Sequence, residues 1–269
     1  MSLRIGTQTA LAIGAIAAFG LRGGPAASAA FENIYSAGHA DIGVALEDND
    51  ELHLHYHFGS NAVLNGAVLG PGLDDEAYEY DPSEVTVLVS DDAKLSAPVA
   101  LPFLGLSAGD PVWILPQSNN PLLPFVGIAT EELTSGDWSS FSFSLTGFSG
   151  PGAFALFQTG LGTTVFWDTI DGIDGTDVLT IGSIGGHDHY NFGFSTEGVY
   201  DLTITATGTH RTLGTLSDTA TFRFNVGPLA SPVVPEPASL AMMGLGAVGV
   251  LGSVLVRRAR GRVEEETAA

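Results

Sequence analysis

From Leu52 to Phe58 the chain alternates without a break: Leu52, Leu54, Tyr56 and Phe58 are apolar, and His53, His55 and His57 stand between them. Successive side chains of an extended strand point to opposite faces, so the four apolar residues face a core and the three imidazoles share the other side. The same rule reads residues 140–146 as a strand with Phe141, Phe143 and Leu145 inward and Ser140, Ser142 and Ser144 outward. Residues 198–204 place Tyr200, Leu202 and Ile204 inward. In residues 219–226, Ala220, Phe222, Phe224 and Val226 face the core, leaving Thr219, Thr221, Arg223 and Asn225 to solvent. Turn-forming clusters at 47–50, 149–152 and 196–198 separate these runs.

No long segment between the termini has the period of an amphipathic helix. Regular strands, polar turns and no crossover helices predict an all-β fold, an antiparallel β-sandwich, with an immunoglobulin-like C-terminal half as one form of it. Residues 96–124, rich in Pro, Leu and Gly, read as a long loop or insertion with short strands, in which Phe103 and Trp113 pack rather than bind. No internal repeat is visible, so residues 30–227 are read as one domain.

Both ends break the pattern. Arg4, an apolar run over 10–19 and the small residues Ala27, Ser28 and Ala29 make residues 1–29 a secretory signal for signal peptidase. At the other end a linker, 228–237, closes with Pro235, Glu236 and Pro237. Residues 238–256 are then uninterruptedly apolar or small, and as a helix they would span roughly 28 Å, the thickness of a hydrocarbon core. Arg257, Arg258, Arg260 and Arg262 follow in a tail, 257–269, which the positive-inside rule keeps in the cytoplasm. The domain before the helix therefore faces outward.

The Pro-Glu-Pro triplet, single helix and arginine cluster resemble the PEP-CTERM tail. That resemblance implies an exosortase, typically in a Gram-negative bacterium that makes exopolysaccharide. Such an enzyme processes an inner-membrane intermediate near the triplet and passes it to the cell surface or extracellular matrix. The acidic extension 263–269 departs from the pattern.

Composition narrows the chemistry. There is no cysteine, which excludes disulfides, thiolate metal sites and cysteine nucleophiles. The net charge is −21, and between residues 31 and 230 the only basic side chains are Lys94, Arg211 and Arg223. Such a surface repels nucleic acid and anionic polysaccharide and suits cations.

Six of the seven histidines are clustered: His39; His53, His55 and His57; His187 and His189. Same-face neighbours two residues apart lie about 6.5 to 7 Å apart along a strand, close enough for two imidazoles to share an ion. Since one strand supplies only two such rings, the expected site joins the His53 to His57 strand with His187 and His189, with His39 or Asp41 beside it. Zn²⁺ suits these donors best, ahead of Cu²⁺ or Ca²⁺. The competing reading is an outer sheet face of solvated or hydrogen-bonded rings. Asp168, Asp171, Asp174 and Asp177, with Gly172 and Gly175, offer hard oxygens to Ca²⁺ but lack the spacing of an EF-hand, and a solvated Asp-Gly turn competes with that reading.

A second resemblance rests on four pieces: Gly38-His39-Ala40-Asp41-Ile42-Gly43; the histidine strand; residues 168–174; and His187-Asp188-His189-Tyr190-Asn191-Phe192-Gly193-Phe194 with Gly198-Val199-Tyr200. Together they resemble the choice-of-anchor M domain, with Phe192 where related repeats commonly carry Trp. The resemblance implies surface display and metal handling without an established enzymatic role. No nucleophile elbow, phosphate loop or His-Glu-x-x-His motif stands out, and no two carboxylates are singled out as a glycosidase pair. The sequence thus reads as a non-catalytic exported surface or matrix protein; the alternative is a carbohydrate-binding protein or glycoside hydrolase of the matrix.

Overall fold

The computed structural model describes residues 33–229. The expected signal peptide, Pro-Glu-Pro motif, membrane helix and arginine tail lie outside the described residues. Among the described residues no helix is long and apolar enough to cross a membrane. They belong to one compact unit.

Strands β1 (Asn33–Leu46) and β2 (Leu52–Phe58) form the first hairpin. Three short strands, β3 (Val63–Leu64), β4 (Ala67–Val68) and β5 (Glu79–Tyr80), lead to β6 (Val85–Val89) and β7 (Lys94–Ser96). Next come β8 (Pro111–Leu115), β9 (Pro124–Ala129) and the long β10 (Trp138–Ser149). They are followed by the hairpin β11 (Phe154–Thr159) and β12 (Thr163–Asp168), then β13 (Val178–Thr180), β14 (His187–His189) and β15 (Asn191–Phe194). A hairpin of β16 (Gly198–His210) and β17 (Gly214–Val226) ends the domain.

One sheet runs β13-β10-β16-β17-β6-β1-β2-β5, with β9 paired to β1 and β14 to β9. The other runs β12-β11-β15-β8-β7. Alternation supplies the apolar faces that join them: Phe224 of β17 lies 5.5 Å from Phe194 and 5.7 Å from Phe192 of β15, ring centre to ring centre. Phe141, Phe143, Tyr200, Leu202, Ile204 and Phe222 are buried as their spacing predicts. The outer side of β10, β16 and β17 carries hydroxyls instead, with Thr203 against Thr221 at 3.0 Å and Thr205 against Thr219 at 2.9 Å.

Three expectations need correction. The first sheet is mixed, because β6 runs parallel to both β1 and β17, and β9 runs parallel to β1. The cause is the length of β1, which pairs with β3 and β6 through its first residues and with β2 and β9 after Gly38. There Tyr35 points inward, then Ala40, Ile42 and Val44 do, so the facing parity shifts by one. Gly38 has φ +83°, and its Cα lies against the Asn61 backbone too closely for a side chain.

Residues 96–124 do hold a short strand, β8, an inner strand of the second sheet, and both aromatics pack: Trp113 is buried and Phe103 lies 5.0 Å from Phe157. The C-terminal strands do not form a half of their own: β14 edges the first sheet while β15 lies inside the second. Asn225, expected in solvent, is buried and donates its amide to the carbonyls of Gly227 and Pro228, both at 3.3 Å.

Candidate metal centre

Strands β2, β1, β9 and β14 lie side by side in that order. Their registers set His57 opposite Asp41, Asp41 opposite Gly127 and Gly127 opposite His189. Since Ala40, Ile42, Val44, Leu54, Tyr56, Val126 and Ile128 fill the core, alternation delivers His39, Asp41, the β2 histidines, His187 and His189 to the opposite face. One polar face thus follows from four apolar ones.

Within it His39, His187 and His189 converge, with ligand nitrogens within 4.8 Å of one another. Their ring centres form a near-equilateral triangle of 5.4, 5.1 and 5.2 Å. Phe125 stacks on His189 at 3.6 Å and fixes its plane. His187 Nδ1 donates to Glu131 Oε1 at 2.6 Å, which orients the ring and leaves its Nε2 free. Asp41 is 3% exposed; its Oδ2 is 3.5 Å from His39 Nε2, while its Oδ1 has no hydrogen-bond partner. The buried Nδ1 of His189 has none either. Buried polar atoms are normally paired, and here two without partners lie together, one on a converging imidazole and one on the neighbouring Asp41.

Electrostatics agrees with that. Burial, then the neighbouring His189 and His187, lowers His39 to about 4. Burial also lowers His189, and it raises Asp41 to about 6. At neutral pH, His39 and His189 are therefore neutral, the form that ligates a metal. Against this trend His187 is raised: burial lowers it, but the Glu131 hydrogen bond and the Asp41 and Glu131 charges outweigh burial.

His55, His57 and Glu132 form a second group, also within 4.8 Å. His55 Nε2 and His57 Nδ1 donate to one oxygen, Glu132 Oε1, at 3.0 and 3.2 Å. The hydrogen bonds from His55 and His57 lower Glu132 to about 2. Burial pulls His55 down, yet Glu132 raises it overall, and the Glu132 hydrogen bond raises His57. This cluster satisfies itself, as a carboxylate clamped between two rings. Gly43 makes room for it, because a Cβ there would stand 3.2 Å from His55 Nε2. His53 stays apart, exposed and 3.6 Å from Glu47.

The expected single convergence of the β2 histidines with His187 and His189 is thus replaced by two adjoining sets. Two strands, β1 and β9, separate β2 from β14, and three inter-strand steps amount to roughly 14 Å, too far for imidazoles to share one ion. Glu131 and Glu132 had no signal in the sequence beyond being two carboxylates in a polar turn. Thr130 holds them over the face: its hydroxyl donates to Gly186 O and accepts from the Gly185 N–H, both at 3.1 Å.

Elsewhere, Asp177 is buried and its carboxylate accepts the backbone N–H groups of Asp168 and Asp174, each at 2.9 Å, which closes the acidic turn internally. Gly105-Leu106-Ser107-Ala108-Gly109 does have the Gly-x-Ser-x-Gly spacing. It lies between a 3-10 turn and β8 with no helix after it, so it lacks the strand-to-helix context of a nucleophile elbow. Pro235, Glu236, Pro237, Arg257, Arg258 and Arg260 lie outside the described residues.

Residues 233–259 match the PEP-CTERM protein-sorting motif. That motif implies export, processing by an exosortase and sorting to the cell surface. No curated protein and no solved structure matches the chain.

Proposed function

We propose that this exosortase-sorted surface protein is a non-catalytic, metal-binding display protein whose β-sandwich holds one Zn²⁺ through His39, His187 and His189. The carrying observation is the triangle of those three rings beside the buried Asp41, whose Oδ1 has no hydrogen-bond partner. Without cysteine the donor set is nitrogen with carboxylate, which suits Zn²⁺ or Cu²⁺ over Ca²⁺. Three imidazoles leave a fourth position of a tetrahedral ion for Asp41 or water, and Glu131 behind His187 supplies the usual carboxylate support. The net charge of −21 draws cations to the surface. The resemblance of residues 38–43, the histidine strand, residues 168–174 and residues 187–194 with 198–200 to the choice-of-anchor M domain supports the same reading.

On this reading the chain leaves the cytoplasm behind its signal peptide, pauses in the inner membrane on residues 238–256, and joins the surface or exopolysaccharide matrix after cleavage. Metal analysis of the protein washed from native cells tests the function. One equivalent of zinc or copper, removed by mild acid and restored at neutral pH, is expected; metal-free protein that stays metal-free in zinc-containing buffer would refute it.

A further inference from the structure

Against β14 lies a cleft of about 510 Å³ lined by residues of β9, β11, β12, β13, the loop before β14 and β14 itself, where His187 and Asp188 both border it. We propose that it is a binding site for a neutral saccharide of one or two rings. Its volume falls within the roughly 300 to 1,000 Å³ of small-ligand sites.

Strand alternation creates it. In the three-residue β14, His187 and His189 turn to the metal face, so Asp188 turns the other way, paired with the inward-facing Ile128 of β9. Gln158 Nε2 donates to Asp188 Oδ2 at 3.2 Å and to the His189 carbonyl at 2.9 Å, and Asp188 Oδ1 accepts the His189 N–H at 2.8 Å. The carboxylate is held in one orientation while each of its oxygens keeps a lone pair for a further donor. Phe166 is half-buried and packs edge to face at 5.2 Å on Tyr190, which is itself buried, so Phe166 supplies an aromatic wall.

The chemistry selects the ligand. An aromatic wall accepts the C–H face of a sugar ring, while a fixed carboxylate, an amide and the hydroxyls of Thr180 and Ser183 match its hydroxyl groups. No lysine or arginine lines the cleft, and the chain carries a net charge of −21, so anionic ligands are repelled. A single carboxylate is too few oxygens for a hard cation.

His187 borders both the cleft and the proposed metal centre, so the test is run on metal-free protein. The purified full chain, in zwitterionic detergent with EDTA, is titrated with glucose, galactose, mannose, N-acetylglucosamine and their disaccharides, and amide shifts are followed by NMR. Saturable shifts at Gly182, Gly185 and Gly186 are expected for at least one sugar. Gln158→Ala and Asp188→Ala should weaken binding about tenfold or more, and Ser183→Trp, which fills the cleft from its rim, should abolish it while the other amides keep their positions. Absence of saturation with every sugar, or binding that survives Ser183→Trp, would overturn the assignment.

Discussion

Asp41 and Gly127 are paired directly across β1 and β9, and the Asp41 carboxylate occupies the space where a Cβ on Gly127 would stand. The missing side chain lets Asp41 lean from β1 toward the rings of β14. Gly127→Ala should therefore push Asp41 and His189 aside, since the new methyl would also stand 3.1 Å from His189 Cε1. Zn²⁺ affinity is expected to fall about tenfold or more by calorimetry, with a folding cost of about 1 to 3 kcal/mol. Gly136→Ala, where a Cβ meets open space, serves as the control and should leave metal binding unchanged.

The clamp of Glu132 between His55 and His57 predicts a pH-dependent stability. Glu132 is depressed from 4.5 to about 2, so its contribution is complete above pH 4.5 and is lost as pH falls toward 2. The two histidines are raised from 6.5, so theirs is complete below pH 6.5 and fades as pH rises through their raised values. Denaturant melts of wild type and Glu132→Gln should differ most between pH 4.5 and 6.5. A difference that instead grows steadily toward alkaline pH would mean that the carboxylate is not clamped by imidazolium.

Neighbouring residues on β17 should behave in opposite ways. Phe224 fills the space between the sheets against Phe192 and Phe194, and Phe224→Ala should cost about 3 to 5 kcal/mol. Arg223 faces out and pairs with Asp201 at 2.7 Å in a partly exposed bridge, so Arg223→Ala should cost about 0 to 1 kcal/mol. Equal losses in urea melts would contradict a sandwich core at this place.

Sorting predicts the ends of the mature protein. Mass spectrometry of material released from native cells should find a start near Ala30 and an end near Pro235 to Pro237. Recovery of intact Arg257 to Arg262 from that fraction would contradict exosortase processing.

How much of this was legible in the sequence depends on the physical signal each feature leaves. The inward faces of β2, β10, β16 and β17 were readable because a half-buried strand writes its period of two into the chain. The parallel pairings of β1 were not, since nothing in a strand's own alternation names its neighbour. The histidine face was readable, but its division into two sets depends on β1 and β9 lying between β2 and β14. Glu131 and Glu132 looked like any solvated turn until Thr130 held them over the rings. Asn225 broke its own alternation because the strand there runs into the linker and its amide caps the turn.

The central claim is the His39, His187 and His189 centre, and a calorimetric titration of Zn²⁺ at neutral pH tests it most directly. Wild-type protein and His53→Ala should each take up one ion per chain, saturably, whereas the double variant His39→Ala, His189→Ala should take up none. Absence of saturable binding in wild type, or binding unchanged in the double variant, would contradict the account.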